Sequence, residues 1–173
     1  MSKEKDKKIN SYLSFKLGDE EFAAHASKVL NILELSKITV VPQAPEYMKG
    51  VINLRGTVLP VIDTRVKFGM SPTEYTTNTC IIVMDIVVDN ESVQLGALVD
   101  AVQAVLEIEP NQIMPAPSIG SRYRSEFIDG VTSIDEKFVM ILDMDAIFSS
   151  NDLTSLLETT SESKINQTIE EVG

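Results

Sequence analysis

The sequence has few of the residues on which nucleophilic catalysis depends. It contains one cysteine, Cys80, and one histidine, His25. A single cysteine excludes an internal disulfide and is typical of proteins in a reducing compartment. Any Ser-His-acid or Cys-His arrangement would have to use His25, which lies in FAAHASKV where a strand ends or a helix begins. Cys80 opens an apolar run, so we interpret it as a small buried hydrophobic residue.

The common phosphate-binding and metal-binding motifs are also absent. The sequence contains neither GxxxxGK nor GxGxxG, and neither CxxC nor HExxH. Asp143 and Asp145 stand two apart in DMDAI but lack the further oxygen ligands and the glycine of a calcium-binding loop. A strand end that meets a helix N-terminus explains these two acids equally well. We therefore expect neither a metal nor a cofactor.

No apolar run approaches the length of about 18 residues that suggests a membrane-spanning helix. The charged N-terminal residues lack the apolar core of a secretion signal. The net charge is −11, and most of it lies between residues 12 and 150. Such acidity disfavours binding to nucleic acid or to anionic lipid, and it suits solubility or a basic partner. We expect a cytoplasmic protein that neither binds nucleic acid nor inserts into a membrane.

Between its polar ends the sequence is mostly typical of β-strands. Leu13, Phe15 and Leu17 alternate with polar residues before the turn GDEE and the returning segment FAAHA. TCIIVMDIVV and SVQLGALVDAV flank DNE and predict a second hairpin. The unbroken apolar run CIIVM is typical of a strand that is buried on both faces, or of a barrel wall with one face under a neighbour. GMSPTEYTTN, residues 69–78, is interpreted as a polar linker, and SNDLTSLLE predicts a capped C-terminal helix.

The chain contains an internal repeat. A shift of 80 residues places YMKGVINLRGTVLPVIDTRVKF on FIDGVTSIDEKFVMILDMDAIF without a gap. Gly50 then meets Gly130, Asp63 meets Asp143, and most apolar positions stay apolar. We interpret this register as a duplication of a small β unit, in which both acids cap a short helix after a strand. Two such units would pack as small barrels and leave a groove between them.

The repeat isolates one unusual residue, Arg55. The first half makes its turn with Arg55 and Gly56, whereas the second half has DEK, with Asp135 opposite the arginine. Gly56 suits a turn position with positive φ. A solvated side chain would explain an arginine at a turn tip, but the second half makes the turn without one. Because a guanidinium grips carboxylates and carbonyl oxygens with a rigid fork of donors, we interpret Arg55 as a candidate interface residue.

The stretch YMKGVINLRGTVLPVIDTRVKFG resembles the signature of the CheW family of chemotaxis coupling proteins. FKLGDEEFA and the segment from Leu95 to Val131 resemble the opening hairpin and second half of that family, so the resemblance covers roughly residues 11–152. It implies a mostly β fold of two intertwined SH3-like five-stranded β-barrels, with short helices and a C-terminal helix. The domain would span 12–150, with subdomains at roughly 12–70 and 78–148. Residues 1–11 would be a disordered tail, and 151–173 a short helix and flexible acidic tail.

The resemblance also implies a function. Members of the family have no enzymatic activity and bridge methyl-accepting chemoreceptors to the regulatory CheW-like domain of the histidine kinase CheA. We therefore expect a non-enzymatic adaptor that couples receptor cytoplasmic tips to CheA in signalling arrays. It would be cytoplasmic, associated with membrane-anchored receptors. An adaptor of a different chemosensory pathway, serving pilus motility or biofilm formation, is the alternative.

The resemblance carries candidate contact residues onto this chain. Those matching receptor-binding positions are Arg55, Asn53 and Ile81, and those matching kinase-binding positions are Val29, Asn31, Ile32 and Gly50. Asn31 stands where the family often has glutamate, so a carboxylate contact with the kinase would be lost. Glu34 would replace it if this segment were helical. Thr64 stands where an apolar residue is common, and we expect little effect from it.

Two other classes of function stay open from the residues alone. Asp63, Asp143 and Asp145 would be the acids of a small acid-using hydrolase. Asp63 and Asp143 occupy equivalent repeat positions, however, which favours a shared capping role. A sensor that binds a small ligand in the groove between the two halves is the other class.

Overall fold

The computed structural model describes residues 10–115 and 127–147. Within them the chain forms ten strands: β1 (Asn10–Leu17), β2 (Glu20–His25), β3 (Val29–Glu34), β4 (Met48–Leu54), β5 (Thr57–Asp63), β6 (Cys80–Val88), β7 (Glu91–Val99), β8 (Ala101–Ile108), β9 (Ile128–Ile134) and β10 (Lys137–Leu142). One α-helix, α1 (Thr64–Lys67), and the 3₁₀ turns Ala26–Lys28 and Pro110–Gln112 are the helical elements of this part. The predicted C-terminal helix and acidic tail lie outside the described residues.

The first strand begins earlier than the sequence indicated. Asn10 pairs with Ile108 and Ser11 with Glu107 on β8. The last two residues of the segment predicted as an N-terminal tail, 1–11, therefore belong to β1. Their polar side chains conceal the strand in the sequence, because backbone pairing with β8 forms it.

The strands form two five-stranded sheets, with the orders β8-β1-β2-β10-β9 and β3-β6-β7-β5-β4. An isolated bridge between Met114 and Val131 joins the segment after β8 to β9, and one between Thr39 and Val51 joins the segment after β3 to β4. Each bridge connects the two ends of a strand order and closes the sheet on itself. The predicted mostly β fold of two five-stranded units is confirmed. We call them the first barrel (β1, β2, β8, β9, β10) and the second barrel (β3 to β7).

Each barrel contains a hairpin from the other half of the repeat. The hairpin β1–β2 joins β8 to β10, and the hairpin β6–β7 joins β3 to β5. The exchanged hairpins attach through parallel pairs, β2 with β10 and β7 with β5. The second barrel is therefore one continuous stretch, residues 29–99, whereas the first barrel is made of two separate segments, residues 10–25 and 101–142. The segments 12–70 and 78–148 correspond to the repeats rather than to the barrels.

The exchanged hairpins are buried on both faces. On β6, Ile81 and Val83 point into the second barrel, where they pack with Leu98. Ile82 and Met84, which alternate with them, belong to a larger cluster that also contains Phe15 and Phe22 of the first barrel and lies between the barrels. The interpretation of CIIVM as a strand buried on both faces is confirmed. Burial of each such side chain contributes roughly 1.5–3 kcal/mol, so the shared cluster holds the barrels together.

Two ion pairs fasten these hairpins. Arg65 of α1 donates to Asp100, which joins β7 to β8, with Nη2 2.7 Å from Oδ2. The Asp100 carboxylate also accepts the backbone N–H of Gly18 in the β1–β2 turn. The hydrogen bond to Asp100 is the main cause that raises the pKa of Arg65. One carboxylate thus ties a hairpin turn, a strand connection and a helix together.

The second ion pair does the same with the charges reversed. Lys28, between β2 and β3, donates to Asp145 with Nζ 2.8 Å from Oδ2. The Asp145 carboxylate also accepts the backbone N–H of Val87, near the turn of the β6–β7 hairpin. Arg65 and Asp145 are equivalent in the repeat. In the first ion pair the residue after β5 is the cation, Arg65. In the second ion pair the equivalent residue after β10 is the acid, Asp145.

Residues 69–78, which the sequence indicated to be a linker, contact the second barrel through Thr73 and Tyr75. Thr73 donates to the Asp63 carboxylate through its backbone N–H (3.0 Å to Oδ2) and its hydroxyl (2.7 Å to Oδ1). Thr73 is buried, and Tyr75 beyond it lies 5.5 Å from the Lys49 ammonium. The interpretation of this segment as a non-strand agrees with the structure, in which most of its residues are exposed and Thr73 binds the fold.

Candidate partner-binding surface

The turn between β4 and β5 presents Arg55 to solvent. Arg55 and Gly56 form a two-residue turn with φ of 54° and 84°, closed by the pair Leu54 and Thr57. Both turn residues are exposed. Within the described residues the Arg55 side chain makes neither a hydrogen bond nor an ion pair, so its donors are available to a partner. The side chain of Asn53 in the same turn accepts the backbone N–H of Gly56 at 2.8 Å.

The equivalent turn between β9 and β10 has the same backbone shape with the opposite charge. Asp135 and Glu136 have φ of 50° and 67°, and Ile134 pairs with Lys137 across them. The turn geometry therefore does not require a guanidinium. The shape of the turn therefore does not explain the arginine at position 55, which supports its interpretation as an interface residue.

The strand β3 is the first in the order of the second barrel, so one of its edges is free of a strand neighbour within that sheet. Its side chains alternate between half-buried and exposed. Val29 and Asn31 lie on the half-buried face, where Asn31 Oδ1 accepts the backbone N–H of Ile32 at 2.8 Å. Leu30 is 50% exposed and Ile32 is 43% exposed, and together they form an apolar pair on the outer face. The sequence had indicated Val29 and Ile32, and it missed Leu30.

The suggestion that Glu34 replaces the carboxylate missing at position 31 is wrong. It required a helix, and residues 29–34 form a strand. In a strand, positions three apart point to opposite faces. Glu34 lies on the exposed face with Ile32, while Asn31 faces the other way.

Two further predicted contact residues are buried. Ile81 has no exposed surface and packs inside the second barrel. Gly50 is buried where β4 crosses the chain, and a Cβ atom at this position would lie 2.2 Å from the backbone oxygen of Thr39. Because both residues are buried in this fold, their exposure does not support the prediction that they contact a partner directly. They would affect partner binding indirectly, by determining the shape of the barrel. A sequence motif does not indicate how its residues pack.

The predicted groove between the two halves exists on one side of the molecule. A cavity of about 540 Å³ lies between the end of β3, the residues before β6 and the start of β8. Glu34 and Leu35 line it from the second barrel, and Ala101 and Val102 from the first. Thr76, Thr77 and Thr79 supply hydroxyl groups to its wall. The cavity is open to solvent, and its lining is polar and apolar in about equal parts.

The three acids of the hydrolase alternative are engaged by the fold. Asp63 is the N-cap of α1 and accepts the backbone N–H of Arg65 at 3.1 Å. Asp143 accepts the backbone N–H groups of Asp145 and Ala146 at 3.1 and 3.2 Å. Asp145 binds Lys28 as described above. The helix cap predicted for Asp63 is confirmed. Asp143 accepts backbone N–H groups in the same way, but residues 144–147 after it form a turn in place of the predicted short helix.

The sequence missed one perturbed acid. Burial raises the pKa of the Asp129 carboxyl, and the negative charge of Asp143 raises it further. Burial also raises the pKa of Tyr12, with Asp129 as the second cause. Such shifts accompany functional sites and structural clusters alike.

His25 and Cys80 each have a local partner. His25 ends β2 and caps the 3₁₀ turn, where its Nδ1 accepts the backbone N–H of Ser27 at 3.1 Å. The Cys80 thiol donates to the backbone oxygen of Asn78 at 3.2 Å. Over residues 10–115 and 127–147, no three His, Cys, Asp or Glu side chains are grouped so as to hold a metal ion. No helix in the same ranges is both long and apolar enough to cross a membrane.

Comparison with known proteins identifies the family of this chain. The family model of the CheW-like domain matches residues 11–152. The chain belongs to the CheW family. The family match covers both barrels and the turn that carries Arg55, so the resemblance drawn from the sequence is confirmed.

Individual CheW relatives agree with the family model. A protein of Rhizobium etli named probable chemotaxis protein CheW is 36% identical over 140 residues, 81% of this chain and 88% of the relative. Chemotaxis protein CheW of Klebsiella aerogenes is 34% identical over 142 residues, 82% and 83% of the two chains. Among solved structures, the scaffolding protein TtCheW from Thermoanaerobacter tengcongensis superimposes with a TM-score of 0.73 at 28% identity, covering 84% of this chain and 91% of that one.

Proposed function

We propose that this protein is a non-enzymatic chemotaxis adaptor that couples the cytoplasmic tips of chemoreceptors to a CheA-type histidine kinase. Membership of the CheW family supports this, since its relatives are named chemotaxis proteins and one is named a scaffolding protein. The protein would act in the cytoplasm, within arrays of membrane-anchored receptors. The same surfaces would serve an adaptor of another chemosensory pathway, and binding to the kinase of each pathway distinguishes the two.

The observation that carries the proposal is the exposed Arg55. Arg55 lies in a left-handed turn and has no side-chain partner among the described residues, and the second half makes the same turn with Asp135. Its fork of donors suits carboxylates and carbonyl oxygens on a partner. We assign Arg55 to the receptor-binding surface, with Asn53 beside it.

The kinase would dock on β3. Leu30 and Ile32 offer an apolar pair on the outer face of an edge strand. Apolar anchors surrounded by polar groups carry most of the free energy at protein interfaces. Asn31 and Val29, on the opposite face, would support the strand from below. Gly50 and Ile81 would shape the barrel on which these surfaces lie.

The test compares Arg55→Ala with Asp135→Ala, the change at the equivalent turn. Binding to a receptor cytoplasmic fragment and to the kinase regulatory domain is measured by calorimetry, with the thermal midpoint of each variant. We expect Arg55→Ala to weaken receptor binding about 30-fold, the equivalent of roughly 2 kcal/mol, without a change in midpoint. Asp135→Ala should bind normally.

Unchanged receptor binding in Arg55→Ala would contradict the proposal. A large fall in its thermal midpoint would instead make Arg55 a structural brace. Leu30→Ser and Ile32→Ser test the kinase surface in the same way. Both should weaken binding to the kinase domain while leaving receptor binding intact.

A further inference from the structure

The turn that presents Arg55 is held in an unfavourable conformation. Arg55 has φ of 54°, in the left-handed region that residues with a Cβ atom adopt at a cost. The turn is exposed, so packing does not compensate for that cost. Without a further constraint the guanidinium would sample many positions, and a partner would lose affinity by ordering it.

One hydrogen bond constrains this turn. Asn53 Oδ1 accepts the backbone N–H of Gly56 at 2.8 Å. That N–H belongs to the peptide group that joins Arg55 to Gly56, so the bond fixes the plane directly after the arginine. It spans the turn from the strand β4, which is itself held by its pairing with β5. The direction of Arg55 is thereby tied to the barrel.

The fold does not need this bond to make the turn. The β9–β10 turn has the same positive φ values, and there Ser133 occupies the position equivalent to Asn53. In the part of the chain that the structure describes, Ser133 makes no corresponding bond to Glu136. The bond is thus confined to the turn that carries the arginine.

We propose that Asn53 is a positioning residue for Arg55 and acts through the turn rather than by touching the partner. The inference rests on the proposed function and deepens it, because it replaces the assignment of Asn53 as a receptor contact. The amide oxygen of Asn53 is already occupied within the molecule. Its effect on binding therefore depends on the presence of the arginine.

A double-mutant cycle tests this dependence. Receptor-fragment binding is measured for wild type, Asn53→Ala, Arg55→Ala and the double variant. We expect Asn53→Ala to weaken binding about threefold to tenfold, which matches the loss of one hydrogen bond. In the Arg55→Ala background the same change should have no further effect.

Matched variants separate positioning from contact. Asn53→Asp keeps an acceptor for the Gly56 N–H and should protect that amide from hydrogen exchange as the wild type does. Asn53→Ser imitates the second turn and should behave as Asn53→Ala. Ser133→Ala should leave both binding and the thermal midpoint unchanged. In Asn53→Ala the Gly56 amide should exchange faster, with the midpoint unchanged.

Each result decides something. Additive losses in the cycle would show that Asn53 contacts the receptor itself and would overturn the inference. So would a Gly56 amide that exchanges at the same rate in wild type and Asn53→Ala, whatever the binding data show. If Arg55→Ala weakens binding but Asn53→Ala does not, the positioning role fails and the adaptor proposal stands. If Arg55→Ala binds normally, both fail.

Discussion

The two halves of the repeat close their barrels in the same way and differ at the tips and anchors. Tyr47 accepts the backbone N–H of Asp63 at 2.7 Å, and Phe127 accepts that of Asp143 at 2.9 Å. These two backbone bonds follow the 80-residue shift. The turn tips, by contrast, carry an arginine in one half and an acidic pair in the other. Backbone features are shared, and the side chains that face solvent have diverged.

The two ion pairs that hold the exchanged hairpins, Arg65–Asp100 and Lys28–Asp145, show the same combination of shared and exchanged features. In both pairs a carboxylate binds one cationic side chain and also accepts one backbone N–H of an exchanged hairpin. The type of interaction is kept while the charges trade places, and the carboxylate accepts the backbone N–H of Gly18 in one half and of Val87 in the other. The following changes test where the halves are equivalent and where they are not.

The largest effect is expected at the glycines where each barrel closes. A Cβ at Gly50 would lie 2.2 Å from the Thr39 backbone oxygen, and one at Gly130 would lie 2.7 Å from the Met114 oxygen. Gly50→Ala should lower the free energy of unfolding by about 3 kcal/mol or more, and Gly130→Ala by less. Urea unfolding of both variants measures this.

Gly56→Ala is the control for the glycine series. A Cβ at Gly56 meets no atom within 4 Å, so only its positive φ is unfavourable. The expected loss is about 1 kcal/mol. A Gly50→Ala variant no less stable than Gly56→Ala would contradict the close approach at the barrel closure.

The two capping acids should differ in strength. Asp63 is 1% exposed and accepts from Arg65 and from both donors of Thr73, whereas Asp143 caps only its own turn among the described residues. Asp63→Ala should cost about 3 kcal/mol, because it leaves Thr73 buried without its partner, and Asp143→Ala about 1 kcal/mol. Urea midpoints decide the order, and equal losses would refute it.

Thr64 and Met144 occupy equivalent positions, and only one of them suits its surroundings. Thr64 is 4% exposed, and its hydroxyl has no hydrogen-bond partner in the part of the chain that the structure describes. Met144, 3% exposed, fills the same position in the other half with an apolar side chain. Thr64→Val should raise the free energy of unfolding by about 1 kcal/mol.

The matched reverse change is Met144→Thr, which should lower stability by a larger amount because it also opens a cavity. Thermal midpoints of the two variants give the comparison. A lower midpoint in Thr64→Val would mean that the hydroxyl is satisfied in solution.

The smallest effect concerns Asp129, whose equivalent in the first half is Lys49. The pKa of Asp129 in the folded protein lies above its ordinary value. The contribution of this side chain to the free energy of unfolding is therefore present at low pH and is lost as the pH rises through the folded pKa. Asp129→Asn should therefore be more stable than wild type at pH 7, by less than about 1 kcal/mol because water screens the side chain. The advantage should shrink below about pH 4, where the wild-type carboxyl is protonated.

Unfolding curves at pH 7 and at low pH measure this difference. Lys49→Gln serves as the control, since it changes the charge at the equivalent position without removing a perturbed acid. An Asp129→Asn advantage that stays constant with pH would assign the effect to packing instead of ionisation.

Much of the fold could be predicted from the sequence because its signals are local. Alternation of apolar residues places β1, and turn residues place the hairpins. The acids after β5 and β10 predict caps, since capping depends on a few neighbouring residues. Which strands pair between the halves is not local, and only the family resemblance indicated that they intertwine. No pattern within one hairpin states which barrel it will join.

The candidate surface was predicted less completely, and the reason is the same. The exposure of Arg55 follows from its turn, which is local. The burial of Ile81 and Gly50 depends on strands distant in sequence, so motif matching placed both at a surface. The inward face of Asn31 and the outward face of Leu30 depend on the register of β3 with β6, which shifts at a bulge after Val29.

The exchange of hairpins imposes an order on biosynthesis. The second barrel uses β3 to β7 and is complete in the chain once residue 99 has been made. The first barrel contains the earliest hairpin, β1–β2, and its partners β8 to β10 are made last. During translation, therefore, β1–β2 must wait with an apolar face uncovered while the second barrel assembles. We expect this waiting hairpin to be the segment of the nascent chain that chaperones protect.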